Sequence, residues 1–244
     1  MPCKISDHRI QSPNFLHIFA RVSRNKVRPS NILETRELSE IAVLSALFVI
    51  ASVIPVSTFI GGAGFITLGI VLVPVIARML RPWSAIISGL VGTLAVYALQ
   101  IATAPIFGPI SILIPISGIL LGSIGFHNRL GCVIPWSYVL LGAVYYFSFS
   151  GGTLLWLAPY IIVILSLPIV LRENKFRIPL LCLYSTMCEL TTMNIASIMI
   201  LRLPGPLWFV ITPFMFFERI VATSGSYMVI SRISKAMPRM MGEQ

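Results

Sequence analysis

Apolar positions along this chain come in long blocks. From Leu38 onward eight stretches rich in Ile, Leu, Val, Phe and Ala follow one another: about Leu38–Ile54, Phe65–Leu80, Trp83–Thr103, Ile110–Phe126, Val133–Phe149, Leu154–Leu171, Ile178–Leu201 and Leu207–Ser231. The first is stopped by Pro55. Blocks this long and this apolar predict helices that face lipid or one another rather than water. Several approach the lower limit of ~17 residues for a spanning helix, so short or broken spans are expected. The fold class this predicts is all-α: a polytopic transmembrane helical bundle of six to eight spans over residues 38–231. Basic tails flank it at residues 1–37 and 232–244. Within the first tail, Phe15, Leu16, Ile18, Phe19 and Val22 form an apolar patch that fits either a surface-lying amphipathic turn or unstructured chain.

Charge sharpens this picture. Of the 244 residues, 57% are hydrophobic and 11% charged, against about a quarter charged in an average soluble domain. Between Ile41 and Leu171 there is no acidic residue, and only Arg78, Arg81 and Arg129 are basic. The net charge of +10 raises the question of nucleic acid, but the basic groups are distributed otherwise. With the amino terminus in the cytoplasm, the tails and the inner connections receive sixteen of the 18 basic residues. The outer connections, Pro55–Gly64, Ala104–Pro109, Ser150–Thr153 and Pro204–Pro206, carry no charge. This follows the positive-inside rule and predicts an even number of spans, both termini cytoplasmic, and a multi-pass protein of the cell membrane, not a nucleic-acid binder. The first long apolar run follows a basic tail and reads as a membrane anchor rather than a cleaved leader.

The catalytic inventory is poor. The chain has no nucleophile-elbow, zinc-protease or phosphate-loop pattern, so neither an enzyme nor a nucleotide site is expected. Cys3, Cys132, Cys182 and Cys188 form no CxxC pair and read as small apolar residues. His8, His17 and His127 stand apart from one another and from the cysteines, so no metal and no cofactor is expected.

Polar groups inside the spans are the candidates for function, because an amide or charge in hydrocarbon needs a partner. The ionisable ones are Glu189, Arg202, Glu218 and Arg219. At ~1.5 Å per residue, Glu189 lies roughly 16 Å above the inner end of its segment and Arg219 about 12 Å above the inner side. The depths match to within one helical turn, which predicts a cluster built on a Glu189–Arg219 ion pair, with Glu218 beside it. Tyr97, Gln100, Asn194, Arg202 and Glu218 are the expected lining of an outward-facing solute pocket. Interhelical hydrogen bonding accounts for the amides equally well. Trp156 and Trp208 sit near outer ends, where interfacial anchors are common. Small-residue stripes at Ala42/Ser45/Ala46/Ser52, Gly89/Gly92 and Gly118/Gly122/Gly125 fit close helix packing, within the chain or against another subunit. The Gly- and Pro-rich outer connections read as tight turns or as mobile gates.

These residues resemble a known family. The run Leu38-Ser-Glu-Ile-Ala-Val-Leu-Ser-Ala-Leu-Phe-Val-Ile-Ala51, ending at Ile54-Pro55, resembles the first helix of the substrate-binding S components of energy-coupling factor transporters. Ala42 and Ala46 match that helix's AxxxA pattern. Ile66-Thr67-Leu68-Gly69, Arg81-Pro-Trp-Ser-Ala-Ile-Ile-Ser-Gly89-Leu-Val-Gly92 and Ile114-Pro-Ile-Ser-Gly118-Ile-Leu-Leu-Gly122 are similar to its following helices. The likeness covers about Leu38–Gly125, and the family typically has six helices where eight apolar segments stand here. It implies capture of a vitamin, a cofactor precursor or another small solute from outside. It further implies partners: a transmembrane coupling subunit docking on Ala42 and Ala46, and two cytoplasmic ATPases. Pro55–Gly64 would be the gate. A self-contained secondary transporter and a non-transporting scaffold are the alternatives; the first would rely on Glu189 and Glu218 as protonatable groups.

Overall fold

The computed structural model describes residues 35–58, 65–172 and 174–236. The amphipathic patch at 15–22, the glycine run at 61–64 and the last tail residues lie outside them. Among the described residues, eight helices of more than one turn correspond one to one with the eight apolar blocks. They are α1 (Thr35–Val53), α2 (Gly69–Met79), α3 (Pro82–Ala98), α5 (Leu113–His127), α6 (Val133–Phe149), α7 (Ala158–Val170), α8 (Arg177–Ala196) and α9 (Gly205–Ala236). A single turn, α4 (Ala104–Phe107), precedes α5.

The differences from expectation have local causes. Two short strands, β1 (Pro55–Thr58) and β2 (Phe65–Thr67), pair antiparallel with Pro55 opposite Thr67 and Thr58 opposite Phe65. Their β-branched residues Val56, Thr58, Ile66 and Thr67 suit extended chain. β1 lies in the connection after the first block, whereas β2 takes the place of helix at the start of the second, leaving α2 only 11 residues long. Leu154–Leu157 is a 3-10 turn rather than the start of α7. Pro159 then sits in the first turn of α7, where its missing N–H costs nothing. At the other end α9 runs on to Ala236, past the expected limit at Ser231.

Helix α8 is the centre. It packs against α2, α5, α6, α7 and α9. Its closest neighbour is α5, because Gly118, Gly122 and Gly125 leave a groove there. A methyl group on Gly118 would stand 2.9 Å from the Ser185 carbonyl and 3.1 Å from Glu189 Cβ. The Ser185 hydroxyl fills this space and donates to the Gly118 carbonyl at 2.9 Å. The glycine stripe of α5 is therefore internal packing. So are Gly89 and Gly92, whose added Cβ atoms would meet Ile119 and Phe48. On α1 the small residues divide. Ser45 is buried, bonded to the Ser88 carbonyl at 3.0 Å, and Ser52 is buried beside it, while Ala42 and Ala46 are exposed.

The outer surface of the bundle is apolar. Leu141, Leu165 and Ile220 are 67%, 71% and 65% exposed, a surface that water would not sustain but lipid would. Among the described residues, three helical stretches are long and apolar enough to cross a membrane: Ala104–His127, Leu130–Phe149 and Gly205–Ala236. These features mark a helical membrane protein. The buried Cys132, Cys182 and Cys188 are unpaired.

Candidate functional site

A small recess of about 50 Å³, room for a few waters, lies where β2 meets the bundle. Phe48 and Ser52 of α1, Thr93 and Val96 of α3, and the start of α5 form its sides. Phe65, Ile66 and Thr67 of β2 border it, held by the Phe65 N–H to the Ala102 carbonyl at 3.2 Å. Gly69 permits this closure, since a methyl group there would stand 2.6 Å from the Ser52 hydroxyl. Glu189 of α8 and Arg219 of α9 reach the recess from the protein interior, and both are more than nine-tenths buried.

The polar groups around it form one chain of contacts. Arg219 Nη1 donates to the Thr186 carbonyl at 2.6 Å. Arg219 Nη2 stands 3.9 Å from Glu218 Oε2. The Ser57 hydroxyl of β1 donates to Glu218 Oε1, tying the hairpin to α9. Two atoms are left over: Glu189 Oε2 and Arg219 Nε are buried with no hydrogen-bond partner among the described residues. Five further buried atoms among the described residues share this state, Trp156 Nε1 and Trp208 Nε1 among them, so it is not confined to the recess.

Several expected roles change. The Glu189–Arg219 ion pair does not form; the acidic partner of Arg219 is its neighbour Glu218. Depth along a helix places two groups at one level but does not say which rotamer meets which. Gln100 is exposed in a left-handed conformation, φ 53°, and its side-chain amide donates to the Tyr97 carbonyl at 2.9 Å. It ends α3 and does not line the recess. Tyr97 is half-buried and also outside the lining, although Val96 beside it faces in. Arg202 is exposed in the turn between α8 and α9, with φ 47°. Asn194 is buried, but its amide donates to the Tyr160 hydroxyl at 2.7 Å, and Thr191 lies 3.4 Å from the same oxygen. That network bonds α7 to α8 away from the recess. Glu218 stays with the site through Ser57 and Arg219.

Thr93, Ser111 and Ser57 are contributors the sequence did not single out, and Ser52, read there as part of a packing stripe, lines the recess as well. A hydroxyl inside an apolar block commonly bonds its own helix, so its type alone carries little signal. Trp156 and Trp208 are not interfacial: both are buried, with ring centres 5.0 Å apart in an edge-to-face pair, and Tyr146 stacks beside them.

Compared with protein-family models, with curated proteins and with solved structures, the chain gives no match in any of the three.

Proposed function

We propose that this chain is the membrane-embedded substrate-capture subunit of an energy-coupling-factor type transporter, taking up a vitamin, a cofactor precursor or another small solute. The observation that carries the reading is the recess beside β2, whose lining includes the buried Glu189 and Arg219. A scaffold has no use for a charged recess inside the bundle. Both termini are cytoplasmic in this reading, so the hairpin end faces outward and the recess fills from outside. Ser57 on Glu218 is the latch between gate and bundle.

The exposed Ala42 and Ala46 support docking on a coupling subunit, because small residues let another helix come close. Two cytoplasmic ATPases then supply the energy, since the chain has no nucleotide-binding pattern of its own. Purification of the tagged chain from native membranes tests this. Recovery of a second membrane subunit with nucleotide-binding subunits is expected, and Ala42→Leu with Ala46→Leu abolishes it. Transport by the chain alone in proteoliposomes, driven by an ion gradient, would replace this reading with a secondary transporter. The buried Glu189 on the recess wall is the observation that favours that alternative.

A further inference from the structure

The end of α2 away from the recess is basic. There α2 and α5 end, and α3 and α8 begin. The glycines of α5 draw α2 and α8 together: a methyl group on Gly122 would stand 3.3 Å from Ala77 Cβ of α2 and 2.7 Å from Ser185 Cβ of α8. Arg78 follows Ala77 at the close of α2, and Arg177 opens α8. Both are half-buried, and the two lie within electrostatic reach of each other. Arg81 and Lys175, both exposed, add charge at the same helix ends.

The described residues do not offset this charge. Glu37 accepts from Ser84, Glu40 pairs with Arg36 at 3.0 Å, and Glu189 and Glu218 are buried with Arg219. Among the described residues neither Arg78 nor Arg177 meets an acidic partner. The amino terminus of α8 has no side-chain cap, and its dipole favours an anion.

Aromatic residues set the depth. Trp83, 77% exposed, stands in the first turn of α3, and the exposed Phe176 immediately precedes α8 with Lys175 Nζ 5.2 Å from its ring centre. Exposed aromatic rings beside basic residues at the ends of membrane helices sit at headgroup level. The arginine pair therefore faces lipid headgroups.

We infer that Arg78 and Arg177 together bind the phosphate of an anionic phospholipid whose acyl chains lie along the apolar outer surface of the bundle. Planar guanidinium groups suit phosphate, and basic pockets between helix ends bind anionic headgroups. A zwitterionic lipid brings its own cation and leaves the pair uncompensated. The assignment is independent of the capture reading.

Native mass spectrometry of the full chain in detergent tests it, with phosphatidylglycerol, phosphatidylcholine of the same acyl chains, and inorganic phosphate each titrated in. Phosphatidylglycerol is expected to bind at least about tenfold more tightly than phosphatidylcholine, equivalent to about 1.4 kcal/mol. Arg78→Gln with Arg177→Gln is expected to reduce that preference to within about twofold, under 1 kcal/mol. Arg232→Gln, at an exposed site near the end of α9, is expected to leave it unchanged. Equal binding of the two lipids to the wild-type protein would overturn the inference, and that comparison needs no variant. A preference that survives in the double variant would overturn it as well. So would displacement of the lipid by an equal concentration of inorganic phosphate, which would make the site one for a free anion.

Discussion

Replacing Gly118 by alanine puts one methyl group where α5 and α8 come closest. The new Cβ would stand 2.7 Å from Val73 Cγ1, 2.9 Å from the Ser185 carbonyl oxygen and 3.1 Å from Glu189 Cβ. Val73 can turn, but the carbonyl belongs to the backbone of α8 and moves only if the helix moves. Overpacking of this kind costs about 1–3 kcal/mol. Alanine returns roughly 0.5–1 kcal/mol of helix propensity. The net is about 0–2.5 kcal/mol destabilising, centred on about 1 kcal/mol, or roughly 2–4 °C in midpoint for a chain of this size. Gly225→Ala is the internal control: its Cβ would approach the Val71 methyls at 3.2 Å, so strain and propensity nearly cancel. The buried Cys132, Cys182 and Cys188 supply the assay, because a thiol-reactive dye reports them only on unfolding; a Cys3→Ser background removes the remaining thiol. A Gly118→Ala midpoint equal to that of Gly225→Ala would refute the claim that the glycine stripe of α5 holds α8 in place.

Ser57→Ala removes a hydrogen bond from β1 to a buried carboxylate, a bond of about 1.5–3 kcal/mol, and is expected to speed release of a bound solute by at least about tenfold in a stopped-flow dilution. Asn194→Ala leaves the Tyr160 hydroxyl short of its nearest partner and is expected to lower stability by about 1–3 kcal/mol in the dye assay, with solute affinity unchanged. Arg202→Gly relieves a left-handed non-glycine residue, which costs about 1–2 kcal/mol; the midpoint is expected to rise slightly and uptake to stay at the wild-type rate.

The eight helices were legible because lipid-facing and core-facing surfaces are both apolar, so every transmembrane-type helix shows as a continuous block whatever surrounds it. Where a block ends in another conformation, composition gave less warning. Leu154–Leu157 is as apolar as the helix it precedes, yet forms a 3-10 turn before Pro159. Ile66 and Thr67 adjoin an apolar helix but pair with β1. At the site, the rarity of charge in the blocks picked out Glu189, Glu218 and Arg219; Glu189 and Arg219 reach the recess, and Glu218 adjoins Arg219. The pairing among them was not legible. Arg219 reaches the preceding residue and a carbonyl of α8, a choice made by rotamers and by Ser57 arriving from a different part of the chain. Gln100 and Arg202 misled for a common reason. Both are polar residues at helix ends in left-handed turns, where a side chain is exposed even though its sequence neighbours are apolar.

The most direct test of the capture reading is native mass spectrometry of the chain purified from its own membranes, with released small molecules identified after denaturation. One small solute at near-stoichiometric occupancy is expected from the wild-type protein. A spectrum holding only protein and lipid, from preparations that retain other membrane subunits, would contradict the account and leave the chain as a scaffold.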